Sequence, residues 1–394
     1  VTRILFVVPP LAAHVHPTVA VALELRDRGH DVAWVGHTEL IAPMLPADAE
    51  IIEVCGDERQ RNDFREWFDH LEARREKMRG AAAFRFLWEE FLLPLSVSMF
   101  DGIDRAVTGF RPDILAVDQH TLAGAIVARK RGIPWATMAI MSAEIVDPLP
   151  PKLQDWVRSS QRDLCAQLGE NPDDYAGIAD LRFSPDLVIA FTTPALVGPV
   201  DDYPSHYRFV GPCLHARGGE FDWAWLDPQR RHVLITLGTV SSVIGTNFLR
   251  TAVAAVGEMA ADTQAILIDP NEVVESVPPN VLRVAWVPYL ELLPTLDAVV
   301  CHAGHTTSCE ALANAVPLVM APIRDDQPVT AWQVETAGAG VRVKFGRARP
   351  ADIRDALDRV LDDAAFREAA GRIRDSFTAA GGARAAADYV EKLT

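Results

Sequence analysis

Cysteine is scarce in these 394 residues, and the five that occur, Cys55, Cys165, Cys213, Cys301 and Cys309, are scattered and odd in number. That pattern argues against a disulfide framework and suits reduced thiols in a cytoplasm. No Cys-x-x-Cys pair points to structural zinc. There is no uninterrupted apolar run of about 18 residues, the length a helix needs to cross a bilayer. The opening Ile4-Leu5-Phe6-Val7-Val8 is too short for a secretion signal and has no small-residue cleavage site after it. Positive charge is in deficit: 38 Lys and Arg against 54 Asp and Glu leave a formal net charge of −16. That excludes nucleic acid as a general partner, because phosphate contacts need clustered Lys and Arg. A small anion stays admissible, since a helix N-terminus can hold a diphosphate without a basic surface.

The chain is long enough for two ordinary domains. Its first forty residues read as strand, loop, helix, strand. Ile4 to Val8 is a continuous apolar run, as in a strand buried on both faces. Pro9-Pro10 breaks it. Apolar residues at helical spacing predict a helix from about Pro17 to Arg28, closed by Gly29, and Asp31 to Val35 begins the next strand. The rhythm returns at Asp113 to Val117, Gly124 to Arg131 and Trp135 to Ile140. Arg129-Lys130-Arg131 suits a helix C-terminus and not a nucleic-acid patch. Between these units, Asn62 to Phe100 reads as two or three amphipathic helices rich in aromatics. Trp67, Phe84, Trp88 and Phe91 are candidates to line an apolar acceptor pocket, although ordinary helix packing accounts for most such residues.

Cys213 to Pro228 turns polar and carries Gly218-Gly219 and Asp227-Pro228, the best linker candidate. Strand and helix then alternate again from His232 to Val343, a second doubly wound domain. The expected division is an N-terminal domain at 1–215, a second domain at 216–375 and a returning helical segment at 376–394. Ala387, Val390 and Leu393 give that segment an apolar stripe.

The densest chemical signal lies in the second domain: Trp286-Val287-Pro288, then His302-Ala303-Gly304-His305-Thr306-Thr307-Ser308-Cys309-Glu310, then Asp325-Asp326-Gln327-Pro328. Asp297 to Cys301 reads as a buried strand, so His302 and Gly304 fall at its C-terminal edge, where open α/β sheets bind ligands. Thr306, Thr307 and Ser308 fall in the first turn of the next helix, where free N–H groups and hydroxyls converge on one anion. Gly304 gives a phosphate room to approach the backbone. His302 suits a phosphate oxygen, Glu310 ribose hydroxyls, Asp326 and Gln327 sugar hydroxyls, and Trp286 a stacked base. Each piece has a bland alternative: a structural His, a capping turn, a core Trp. The signal lies in their order and spacing.

This segment resembles the nucleotide-sugar signature of family 1 glycosyltransferases of GT-B fold, particularly bacterial enzymes that decorate antibiotics and other natural products. The resemblance covers nearly the whole chain. It implies an α/β fold of two Rossmann-like, doubly wound domains facing a cleft. It also implies a Trp286–Val287 base site, diphosphate contacts from His302 and Thr306 to Ser308, ribose contact by Glu310, and sugar contact by Asp326 and Gln327. Gly238-Thr239, after the strand Leu234 to Leu237, matches the loop that touches the diphosphate in that family. Tyr289 stands where many relatives have Gln, and Cys301-His302-Ala303-Gly304 replaces a doubled His with an extra Gly, so the identities of base and sugar stay open between UDP and dTDP donors.

Ala12-Ala13-His14-Val15-His16-Pro17 resembles the family's Gly-His-Val-Asn-Pro, which puts His14 in the place of the general base. Imidazole titrates near working pH and suits proton removal from an alcohol. Asp118 matches the carboxylate that orients it; the bland reading is a His near a helix start and an ordinary strand-end Asp. His16 is a second candidate for the base and also an acceptor-pocket candidate, and His120 lies close to Asp118 in sequence. No Asp-x-Asp at a strand end marks a metal, and no cofactor is expected beyond the nucleotide-sugar co-substrate. The implied reaction is inverting, metal-independent transfer to a small hydroxylated, apolar acceptor. A homodimer is compatible with the sequence. Two rivals share the fold: a nucleotide-sugar 2-epimerase and a non-catalytic sugar-nucleotide-binding helper.

Overall fold

The computed structural model describes residues 1–75, 80–146, 150–216, 218–238 and 245–393. The chain divides into two compact units: Val1–Thr192 with Val200–Leu214 and Ala380–Thr394, and Thr193–Pro199 with His215–Ala379. Thr193–Pro199 therefore packs with the second unit although the flanking chain belongs to the first.

The first unit is built on seven parallel strands: β1 Arg3–Val7, β2 Asp31–Gly36, β3 Glu50–Glu53, β4 Ile114–Asp118, β5 Trp135–Ala139, β6 Leu187–Ala190 and β7 Tyr207–Phe209. Their spatial order is β3-β2-β1-β4-β5-β6-β7. Successive residues alternate between two cores. Leu5, Val7, Leu115 and Val117 pack on one face. Ile4, Phe6, Ile114 and Ala116 pack on the other. Both faces are covered, which explains why the strands read as unbroken apolar runs.

The second unit repeats the plan with β8 Arg231–Thr236, β9 Thr263–Ile268, β10 Val281–Val284, β11 Ala298–Cys301, β12 Leu318–Met320 and β13 Gly340–Arg342. Their order is β10-β9-β8-β11-β12-β13. In each sheet the order reverses beside the first strand, between β1 and β4 and between β8 and β11. Chain leaving the C-terminal ends of such a strand pair runs to opposite faces of the sheet and leaves a crevice between.

The first helix begins earlier than expected. It spans Ala12–Asp27 with Pro17 inside it, so His14 sits in its first turn and not in a loop. Leu11 O accepts from both His14 N and Val15 N at 2.9 Å, which starts the helix upstream of the proline. Pro17 fits helical φ and forfeits one bond, to the carbonyl of Ala13, a residue exposed to water. The insertion forms helices over Glu58–Arg75, Gly80–Phe86 and Leu93–Phe110, with a π-helical stretch at Leu87–Leu92.

The terminal helix Gly382–Val390 docks beside Ala12–Asp27. Ala386, Ala387 and Val390 are fully buried in the core shared with β1 and β4, with Leu393 packed at its margin. Arg28 Nη1 donates to Asp388 Oδ1 at 2.6 Å and to Glu391 Oε2 at 2.9 Å. These pairs are partly exposed and contribute little beside the apolar contact. Truncation after Phe377 is expected to lower unfolding stability by about 2–5 kcal/mol, the scale of losing several buried aliphatic groups. A melting curve unchanged by the truncation would contradict this packing.

Candidate active site

In the first unit the crevice between β1 and β4 is where His14 and Asp118 meet. Asp118 is the last residue of β4, and His14 lies one short loop after β1. His14 Nδ1 is 2.9 Å from Asp118 Oδ2 and 3.1 Å from Oδ1. Both residues are buried, at 2 % and 1 % exposure. Asp118 Oδ1 also accepts the backbone N–H of His120 at 2.8 Å. A carboxylate so held accepts a hydrogen bond from Nδ1–H, and in the neutral ring the lone pair then lies on Nε2. His16 lies two residues on in the same helix, and positions i and i+2 do not share a helix face.

His120, which the sequence flagged only by proximity, lies against His14 with ring centroids 4.4 Å apart. Its Nε2 is 2.8 Å from Glu144 Oε1. Glu144 Oε2 in turn accepts from Gln119 Nε2 and Arg182 Nη1, each at 2.9 Å. Burial works to raise the Glu144 carboxyl, but His120, Arg182 and Gln119 outweigh it and hold the group below the ordinary carboxylate range. Nothing in the one-dimensional pattern marks Glu144 or Arg182, which reach this place from separate elements.

The aromatic candidates separate. Trp67 lines a cavity of about 370 Å³ together with Phe64, His37, Cys55, Asp101 and Arg105. Trp88 and Phe91 are buried in the core, and Phe84 packs beside them against Trp88 and Trp156. For those three the structure shows ordinary helix packing.

In the second unit, β11 delivers His302 to the corresponding crevice and β8 delivers Gly238. Gly238 has φ +66°, and a Cβ there would lie 3.0 Å from His302 Cε1. A Cβ on Gly304 would lie 2.6 Å from His302 Nε2. The two glycines thus make room for the imidazole. Burial, aided by the Arg324 guanidinium and opposed by Asp325, pushes His302 down to about 4. The ring is neutral near pH 7 and offers a hydrogen bond without a charge. Arg324 is a buried cation that the motif reading passed over. Thr239 lies outside the described residues.

Gly304 caps the helix His305–Ala313, whose first turn carries Thr306, Thr307 and buried Ser308. Glu310 lies four and three residues beyond Thr306 and Thr307, on their face of the helix. Asp326 has a task beyond the one expected: its Oδ2 accepts the N–H of His305 at 3.3 Å and caps this helix. Gln327 Oε1 accepts from Ile323 N at 2.9 Å and Arg324 N at 3.0 Å, bracing a turn in which Asp325 holds φ +56°. The amide NH₂ is the end of Gln327 left for a ligand. Trp286 is 45 % exposed, with the backbone of Gly219 against its ring, where a Cβ would meet Cζ3 at 2.0 Å. The Val287 side chain turns into the core.

Residues 250–393 match the model of the C-terminal domain of erythromycin biosynthesis protein CIII-like proteins. The chain is 29% identical to 4'-demethylrebeccamycin synthase of Lentzea aerocolonigenes over 447 residues, covering 99% of each protein. Its fold is similar to that of the glycotransferase of kitacinnamycin, at a TM-score of 0.78 and 22% identity over 100% of this chain and 99% of the other. It is also similar to the spinosyn rhamnosyltransferase SpnG complexed with thymidine diphosphate, at a TM-score of 0.73 and 22% identity over 99% of this chain and 100% of the other. Two parallel Rossmann-like sheets and these likenesses converge on a glycosyltransferase of GT-B fold, similar to the enzymes of antibiotic and natural-product biosynthesis.

Proposed function

We propose that this enzyme transfers a sugar from a UDP- or dTDP-sugar to a hydroxyl of a small, apolar natural-product acceptor, with inversion and without a metal. The observation that carries the reading is the buried His14–Asp118 pair, with His14 Nδ1 2.9 Å from Asp118 Oδ2. A binding protein has no need of such a pair, so the dyad argues against the helper alternative. Five free thiols support a reducing, cytoplasmic setting as part of the same proposal.

In this mechanism His14 Nε2 takes the proton of the acceptor hydroxyl as its oxygen bonds to the anomeric carbon. The bond to the diphosphate oxygen breaks on the opposite face, which inverts the centre. Asp118 stabilises the imidazolium that forms. The departing diphosphate is met by the first turn of His305–Ala313, by neutral His302 as a hydrogen-bond donor and by the positive Arg324. Trp286 stacks on the base, Glu310 meets the ribose, and the amide of Gln327 meets the sugar. Asp326 contributes by capping the helix and contacts the sugar through the rest of its carboxylate.

His14→Ala should cut turnover by roughly 10²–10⁴ with donor affinity nearly intact. Asp118→Asn should act in the same direction, and the double variant should lose less than the product of the single effects. Steady-state kinetics on an aliphatic alcohol decide this; near-full turnover in His14→Ala alongside a dead His16→Ala would move the base to His16. Separately, Trp286→Ala should weaken binding of the free nucleoside diphosphate by about 1–3 kcal/mol, the usual worth of base–aromatic stacking. Calorimetry showing unchanged affinity would remove the stack.

A further inference from the structure

His120 has the environment of a metal-ligating histidine. Such residues donate one ring N–H to a carboxylate and keep the other nitrogen for the ion. His120 Nε2 is held by Glu144 Oε1 at 2.8 Å. Its Nδ1 is buried and has no hydrogen-bond partner among the described residues. Ligand atoms from His120, His14 and Asp118 all lie within 4.8 Å of one another. From these contacts we propose that His14, Asp118 and His120 form a regulatory site for a divalent transition-metal ion of the Zn²⁺ type, and that occupation of this site inhibits the enzyme. The inhibitory part rests on the reading of His14 as the base.

The donor set is two imidazoles and one carboxylate, which suits zinc and its neighbours and leaves a fourth position for water. His14 Nδ1 and Asp118 Oδ2 are 2.9 Å apart. Two ligands of a tetrahedral ion, bonded at about 2.0–2.2 Å, stand roughly 3.3–3.6 Å apart. The pair needs to open by only a few tenths of an ångström for an ion to take the place of their shared proton. Binding through Nδ1 requires that nitrogen to lose its hydrogen. The proton leaves to water and one returns to Nε2, so the ring stays neutral. Nε2 then carries a hydrogen and has no lone pair for the acceptor. One exchange of tautomer, driven by the ion, silences the base, and a chelator reverses it. All three ligands lie within the first unit.

The test is a titration of the full chain with Zn²⁺ by calorimetry and with Co²⁺ by visible absorption, repeated on His120→Gln and Glu144→Gln, with folding checked by thermal melting. Expected are one ion per chain with a ligand-field spectrum of nitrogen and oxygen donors, at least tenfold weaker binding in His120→Gln, and about 10–100-fold weaker binding in Glu144→Gln. Zn²⁺ should inhibit the wild-type transferase, chelator should restore it, and the inhibition should weaken in step with binding in His120→Gln. Equal Zn²⁺ affinity in folded His120→Gln would overturn the site, as would a cobalt–thiolate band that disappears in Cys55→Ala and places the ion at the His37, Glu53 and Cys55 cluster instead. Zn²⁺ bound at the site with turnover unaffected would overturn the regulation. Absence of any glycoside from chelator-treated enzyme would instead count against the transferase reading, because the titration needs no turnover.

Discussion

Everything functional here depends on how a parallel sheet must be wound. Right-handed crossovers place successive helices on one face of the sheet until the strand order reverses, and then on the other. At the reversal, the chain leaving two adjacent strands diverges and cannot fill the space between. β1 and β4 form that pair in the first unit, and β8 and β11 in the second. The buried dyad stands at the one, and His302 with its two glycines at the other. Residues 104 positions apart in sequence come within hydrogen-bond distance because their strands are neighbours in register, Val7 beside Val117.

Each crevice is finished by a different local device. In the first unit it is charge. Asp118 is fixed by His14 and the His120 amide, and Glu144 by His120, Gln119 and Arg182. A buried carboxylate is costly unless it is paired and hydrogen-bonded, and these two are. In the second unit the device is backbone conformation. Ala303 and Asp325 hold left-handed φ values of 64° and 56°, rare for residues with a side chain. They turn the chain so that His302 sits against Gly238 and Gly304, and so that Gln327 can brace the Ile323–Asp325 turn. Strain of this kind persists only where packing enforces it, and it gathers at working sites.

The terminal helix shows a different economy. It comes from the far end of the chain yet completes the core under β1 and β4, packing beside the helix that carries His14. It holds that helix, and with it the first turn on which the His14 imidazole stands. Its charged contacts with Arg28 and His30 fix register at the surface, while the aliphatic contacts supply the stability.

Much of this was legible in the residues. Apolar runs bounded by helical periods specify doubly wound α/β units, and the sequence between Trp286 and Gln327 sets His302 after a strand and Thr306 to Ser308 in the first turn of a helix, because both patterns are local. The start of the first helix was misplaced because a proline is usually read as a beginning, whereas Pro17 gives up only one hydrogen bond to an exposed carbonyl. Trp88 and Phe91 looked like pocket walls because a buried aromatic and a ligand-lining one have the same periodicity. Glu144, Arg182 and Arg324 carried no signal, since a lone charged residue is ordinarily solvated and only the packing around it reveals burial. The sequence by itself determined which strands and helices form and which chemical groups stand at strand ends. Only the tertiary structure decided which of those groups touch, because contact across a parallel sheet is set by strand order, and strand order is written in no single stretch of chain.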